Sequence, residues 1–282
     1  MTATTTRAPS SGAGPEVDAL PASNTFVSLR TFGSVLWRDV FVTGRELLPF
    51  LAQVVIQPFF MLFIFGKVLG GLGYVNSAAF APILMAGIVA LNGFLGGLQN
   101  TTMPLIMDFS FTREIEDRLL APMPVPWVAV EKMVFGALRG IVAAVLMVPV
   151  GLALLPTVSW PASKLPAVFG IIVLGSLAGA AIGMTIGTLV TPRRINIMFA
   201  VILTPLMFTG CTQFPWRGLE HLRWFQVICA INPLTYISEG MRAVLVPGLP
   251  SLPIWLDVLA AVAACLIFGG IGIWGFMKRA ID

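Results

Sequence analysis

Charge is scarce in this chain, so the places where it gathers matter most. Four of the thirteen acidic residues fall between Asp108 and Asp117, inside the stretch DFSFTREIEDRLLAP at residues 108–122. Phe111, Ile115 and Leu119 recur every fourth residue and therefore line one face of a helix. Arg113, Glu114, Glu116 and Asp117 lie mostly off that face. Glu114 and Arg118 stand in the favourable i,i+4 order. Ser110 can cap the start, and Pro122 stops the helix. The stretch predicts a short amphipathic helix carrying both charge signs. On a chain this apolar it reads as a docking site for a soluble partner or, more plainly, as a solvated loop helix.

A second cluster of unusual residues follows residue 208. FTGCTQFPW at 208–216 leads on to NPLTYISEGMR at 232–242. Apolar patches occur here, but Pro215, Pro233 and Pro247 limit helix length. Short helices that enter a membrane face and return fit this pattern. Such broken backbone is tolerated at membrane depth only where protein or a cavity covers it. The segment is a candidate gate. Cys211 and Cys229 lie within it and could pair as an external disulfide, or simply serve as small apolar residues. With Cys265 they are the only cysteines, and no C-x-x-C pair supports a metal knuckle.

Enzymatic signatures are missing. Gly66-Lys67-Val68 lacks both the upstream glycine and the hydroxyl of a phosphate-binding loop. His221 is the single histidine, too few for a usual zinc site. No G-x-S-x-G elbow occurs. Arg139 is the clearest charge well inside an apolar run, with Glu131 and Lys132 near its boundary. It could meet an anionic group, or it could bond a helix carbonyl or reach back towards the interface. No acid stands in the middle of an apolar run, whereas secondary transporters usually bury acids that carry protons or bind sodium.

The elements that hold these residues are set by composition. Of 282 residues, 57% are hydrophobic and 11% charged, with a mean hydropathy of +0.92. Soluble domains carry about 25% charged residues, so an all-α polytopic membrane protein is expected. A spanning helix needs about 20 apolar residues. Six stretches qualify: 47–69, 80–100, 127–155, 166–190, 195–214 and 253–277. Residues 1–25, rich in Thr, Ser, Ala, Pro and Gly, read as a disordered cytosolic tail, without the basic start and apolar core of a secretory signal. Residues 26–45 place Leu29, Phe32, Leu36 and Val40 on one helical face and Arg30, Arg38 and Arg45 on the other, which suits a helix lying on the membrane surface or, more plainly, a cytosolic extension of the first membrane helix. Asp39 falls near the apolar side and mars the pattern.

With both termini inside, eleven Lys and Arg lie on the cytosolic side and five outside, the distribution expected of inner loops. The net charge of +4 therefore reports on topology. The basic residues are scattered and form no stripe for nucleic acid. Gly175, Gly179, Gly183 and Gly187 repeat every four residues in the fourth span and make a smooth strip for close helix approach. Gly93 and Gly97 do the same in the second. Such a strip can slide during transport or pack statically. Methionines and phenylalanines along spans one, two and five could form an adaptable apolar path.

Taken together, these parts resemble the membrane subunit of an ABC-2 type exporter, in the daunorubicin-resistance and nodulation-factor exporter group. The resemblance covers about residues 26–280. It is carried by REIEDRLLAP at 113–122, by NPLTY at 232–236 with Glu239 and Arg242, and by Gly210 with Phe214 and Pro215. It implies a transmembrane domain over 26–282 and no catalysis on this chain. Two permeases, identical or related, would assemble with two ABC ATPase subunits that bind MgATP. Residues 110–121, with Phe111, Arg113, Glu114, Ile115, Glu116, Asp117, Arg118 and Leu119, would form the coupling helix in the ATPase groove. Arg30, Arg38 and Arg45 would belong to the interfacial helix. Phe214, Pro215, Asn232, Pro233, Tyr236, Glu239 and Arg242 would build the external gate. Cargo would be amphiphilic drugs, lipids or glycoconjugates leaving across a bacterial cell membrane. The rival reading is a channel or secondary transporter that needs no ATPase. Met123, Pro124 and Pro126 make an unusually proline-rich exit from the coupling stretch.

Overall fold

The computed structural model describes residues 25–45, 47–74, 76–112, 124–190, 197 and 199–281. The expected tail and residues 113–123 lie outside them. Among the described residues the elements are all helical.

Helix α1 (Thr25–Arg45) precedes α2 (Leu47–Met61), which runs on as a π-helical stretch at Leu62–Val68 and ends at Leu69–Gly71. Helix α3 (Ser77–Met107) continues as a π-helical turn, Asp108–Thr112. Helices α4 (Val125–Leu154) and α5 (Leu165–Leu189) follow. A π-helical stretch, Phe199–Leu203, leads into α6 (Thr204–Thr209). Two short helices, α7 (Arg223–Ile231) and α8 (Pro233–Leu245), precede the last, α9 (Ile254–Ile281).

Among the described residues, five helical runs are long and apolar enough to cross a membrane: Pro49–Gly71, Ala79–Ser110, Val125–Leu154, Ala162–Leu189 and Ile254–Ala280. The chain is thus an all-α polytopic membrane protein. Within the stretch expected to cross at 195–214, the described residues include an apolar helix, Ala200–Thr209. It breaks at Gly210, and the next residue, Cys211, takes a φ of +49°, which is uncommon for a residue with a side chain. Residues 191–196 and 198 of that stretch lie outside the described residues.

The charged stretch begins differently from the sequence expectation. Ser110 does not cap a new helix, because α3 runs past it without a break. Its hydroxyl instead accepts a 3.1 Å hydrogen bond from Arg279 Nη2. At the other end Pro124 is the N-cap of α4, and Pro126 lies in its first turn. Proline is well tolerated there because the first helical N–H groups have no intrahelical partner. The proline-rich exit is therefore the start signal of α4.

Helix α3 is the pillar of the bundle. It packs against α4, α5 and α8, and α5 packs in turn against α9. Along the α3 span 78% of the apolar window is enclosed by protein, against 28% for α9, so α9 faces outward. Small residues allow this packing. A Cβ built on Gly179 would stand 2.0 Å from the Phe94 carbonyl oxygen, and one on Gly183 would stand 2.4 Å from that of Leu98. Gly140 of α4 lies as close to α3, where its Cβ would meet the Gly93 oxygen at 2.5 Å. Thr102 Oγ1 adds a cross-helix hydrogen bond to the Gly183 carbonyl, 3.1 Å. Gly187 meets Leu105 of α3, whereas Gly175 faces Ile237 of α8. The four-residue repeat therefore runs from α8 onto α3 along one face of α5.

Candidate functional site

Two polar clusters stand at opposite ends of the bundle. The first surrounds the root of the charged stretch. Lys132 of α4, only 7% exposed in its side chain, lies 2.6 Å from the Asp108 carboxylate and 3.9 Å from that of Asp39. Asp39 is also 3.3 Å from Arg38. The residue that marred the amphipathic pattern of α1 thus has a partner on another helix. Buried charges persist only when paired in this way. Beside it, Phe32 meets Trp127 edge-on at 5.9 Å, and Val35 packs against the cluster of Leu105, Val128, Ala129, Met184 and Phe276. Face and charge together clamp α1 to the base of α4.

Arg279 closes the same end from α9. It donates to the Gly187 carbonyl at 3.2 Å and to Ser110, and its guanidinium lies 4.7 Å from the centre of the Phe109 ring. The first residues of the charged stretch are therefore held by α1, α4, α5 and α9 together. Arg30 is exposed, and the Arg38 side chain is 59% exposed beside Asp39. Trp37, Phe41 and Val42 of α1 are exposed apolar residues, an outward face suited to a lipid surface. The side chains of Arg45 and Phe111 lie outside the described residues, as do Arg113, Glu114, Ile115, Glu116, Asp117, Arg118 and Leu119 altogether. Deeper in the bundle, Arg139 sits over the rings of Phe50 and Phe135, 4.9 and 5.4 Å from their centres.

The second cluster lies at the far end. Glu239 and Arg242 of α8 are both fully buried and form an ion pair of 2.8 Å. Glu239 Oε1 also accepts from the Trp216 backbone N–H at 3.0 Å. Arg242 spends its remaining donors on backbone. It reaches the carbonyls of Cys211, of Thr212 at 2.8 Å and of Ile83 at 3.3 Å. One guanidinium thus ties α8 to α3 and to the turn after α6. Burial pulls the Arg242 pKa down, and the Glu239 carboxylate beside it pushes it back up. Asn232 caps α8 by accepting from Leu234 N at 3.0 Å and donates to the Leu206 carbonyl at 2.7 Å. Pro233 opens α8. Tyr236 donates to the Ala230 carbonyl at 2.7 Å, the Phe214 and Phe225 rings lie 6.2 Å apart, and Pro215 caps the turn Trp216–Leu219. All seven residues expected at the gate thus fall in one region.

Between the two ends, a cleft opens between α2 and α3. Gln57, Asn92, Gln99 and Asn100 bring four side-chain amides to it, beside Val54 and Met61. Sequence reasoning missed this, because Gln57 of α2 meets the three amides of α3 only once the two helices pack. It also missed Asp257, 3% exposed at the start of α9, whose carboxylate oxygens have no hydrogen-bond partner among the described residues. Its one sequence signal was being the sole acid of that run.

The arrangement is that of a bundle with a braced end beside a charged segment and a braced cap of short helices opposite. A family model described as ABC-2 type transporter matches residues 30–246. The chain belongs to the ABC-2 type transporter family. Over 189 residues it is 27% identical to the inner membrane transport permease YadH of Escherichia coli K12, an alignment spanning 64% of this chain and 68% of that one. YadH of Shigella flexneri matches equally. The polysialic acid transport protein KpsM of Escherichia coli is 24% identical over 113 residues, 40% of this chain and 42% of that one. This ABC-2 chain is accordingly a multi-pass cell-membrane protein and a membrane transport subunit of an ABC transporter.

Proposed function

We propose that this chain is the permease of an ATP-driven exporter whose energy comes from a separate ABC ATPase docked at residues 110–121. Both termini and the Asp39–Lys132–Asp108 cluster would lie on the cytosolic side, and the Glu239–Arg242 cap outside. Two permease chains, with two ATPases, would make the working unit. The observation that carries this reading is the clamp at the root of the charged stretch. Lys132 joins Asp108 at the end of α3 to Asp39 of α1, so a push on the segment that follows Thr112 is passed to α1, α3 and α4 as one body.

ATP binding on the partner would supply the work, and the chain's own residues would transmit it. A nucleotide shifts a two-state membrane element only through contacts that differ between its states, and those contacts would be made by residues 110–121. At the far end the Arg242 hub would open and re-form as α8 moves against α3. Cargo would be amphiphilic drugs, lipids or glycoconjugates, as in the daunorubicin-resistance and nodulation-factor group. The amide-lined cleft between α2 and α3 supports a polar head beside an apolar body, because side-chain amides both donate and accept hydrogen bonds.

Co-purification of the tagged chain from its native membrane, scored for an ABC ATPase, tests the reading. The ATPase is expected with wild type and absent with Glu114→Arg/Asp117→Arg. An ATPase retained by the variant moves the docking site elsewhere. No ATPase with wild type in mild detergent favours the channel or secondary-transporter reading.

A further inference from the structure

Cys211 and Cys229 lie eighteen positions apart, yet the structure brings them together. Both are fully buried thiols, and their side chains lie within hydrogen-bonding reach of each other. Cys229 is the one buried residue of α7. Cys211 occupies the turn after α6 and is the only described residue other than glycine with a positive φ.

The backbone around the pair is fixed on every side. Thr235 Oγ1 lies 2.6 Å from the Cys229 carbonyl and 3.1 Å from that of Thr209. Asn232 Nδ2 donates to the Leu206 carbonyl and, at 2.9 Å, to Thr209 Oγ1. Trp216 Nε1 donates to the Gln226 carbonyl at 3.0 Å, and Gln226 Nε2 returns a bond to the Trp216 carbonyl at 3.2 Å. Arg242 holds the carbonyls of Cys211 and Thr212. Five side chains thus fix the backbone on both sides of the two sulfurs. Plain apolar packing needs no such frame, and a small aliphatic side chain would serve it as well.

We propose that Cys211 and Cys229 close into a disulfide that staples α7 to the end of α6. This rests on the topology proposed above, because the outer side of a cell membrane permits disulfides and the cytosol keeps thiols reduced. The oxidant is an extracytoplasmic protein disulfide. One cysteine thiolate attacks a sulfur of that disulfide, forming a mixed disulfide and releasing one oxidant thiolate. The other cysteine, losing its proton, attacks the mixed bond. The new S–S bond forms within this chain, and two electrons and two protons end on the oxidant as a dithiol. Burial pushes both thiols up, which slows attack once the region has packed, so closure belongs to folding at the outer face.

Thiol counting on the full chain in its native membrane tests this. Cells are quenched in acid, denatured and treated with a maleimide-linked polyethylene glycol, before and after reduction. Cys265 supplies an internal standard, since the chain has three cysteines. One added polymer before reduction and three after is the expected result. Cys211→Ser and Cys229→Ser should each show two, with or without reductant. Three additions to the wild-type chain before reduction overturn the proposal. Orientation is read separately by placing His221→Cys, an exposed position, in a chain with the native cysteines replaced by serine. Labelling by an impermeant maleimide in intact cells, with three free thiols in wild type, sinks the disulfide alone. Labelling confined to inverted vesicles sinks the topology and the disulfide with it.

Discussion

The seam between α3 and α5 sets a quantitative expectation for Gly179→Ala. Its new Cβ would stand 2.0 Å from the Phe94 carbonyl oxygen, where ordinary contact begins at 3.4 Å. The shortfall is 1.4 Å, and the obstructing atom is backbone of α3, which cannot rotate away. Helices α3 and α5 must part locally by about that distance. A gap of 0.5–1 Å already forfeits about a quarter to a half of a dispersion contact, so neighbouring contacts along the seam weaken too. We expect a loss of about 3 kcal/mol, at the upper end of ordinary overpacking. Gly183→Ala has a shortfall of 1.0 Å and should cost less, about 2 kcal/mol. Gly170→Ala, on the same helix, meets nothing within 4 Å and should be neutral or gain up to about 1 kcal/mol from helix propensity. Unfolding of the purified chain in mixed micelles, titrated with sodium dodecyl sulfate, measures the three. Between Gly170→Ala and Gly179→Ala the folded-to-unfolded ratio should fall by roughly two to three decades. Equal midpoints for those two would refute the backbone-contact account of the seam.

Other perturbations follow from the two clusters. Glu239→Ala strands the buried Arg242 charge and the Trp216 N–H, and the same titration should show a loss of about 3–5 kcal/mol. Removing both charges as Glu239→Ala/Arg242→Met should cost less than the sum of the two single changes, because the uncompensated charge is gone. Lys132→Met removes the cation that the Asp39 and Asp108 carboxylates share. It should destabilise the chain by about 3 kcal/mol or more and increase proteolysis of α1 in membranes, and adding Asp108→Asn should restore part of both. Phe32→Ala removes the edge contact to Trp127, and α1 should show faster amide exchange than wild type while exchange in α3 stays unchanged.

Much of this was legible locally. The spans at 47–69, 80–100, 127–155, 166–190 and 253–277 each have a corresponding membrane-length helix, because hydropathy over about 20 residues depends on the segment alone. Residues 26–45 form a single helix, since periodicity is a property of one element. The 195–214 run lies partly outside the described residues; its described part is helical over Ala200–Thr209, and hydropathy does not report the turn that follows at Gly210 and Cys211. Ser110 misled because a capping residue is also a tolerated helical residue when the preceding helix does not stop.

What the sequence determined by itself is the class of molecule: an apolar, glycine-rich chain that must live in a membrane, with four of its thirteen acids inside ten residues and a proline-broken segment after residue 208. Only the tertiary structure decided who meets whom. Asp39, Asp108 and Lys132 stand on three helices, and their meeting depends on the rotation and spacing of each. Cys211 and Cys229 face each other only because Thr235, Asn232 and Arg242 fold α7 and α8 back onto the turn after α6. Helical period and hydropathy are short-range quantities. The ion pairs, the thiol contact and the amide-lined cleft are set by how closely α3, α4 and α5 approach, and that approach is set by glycines packed against carbonyls.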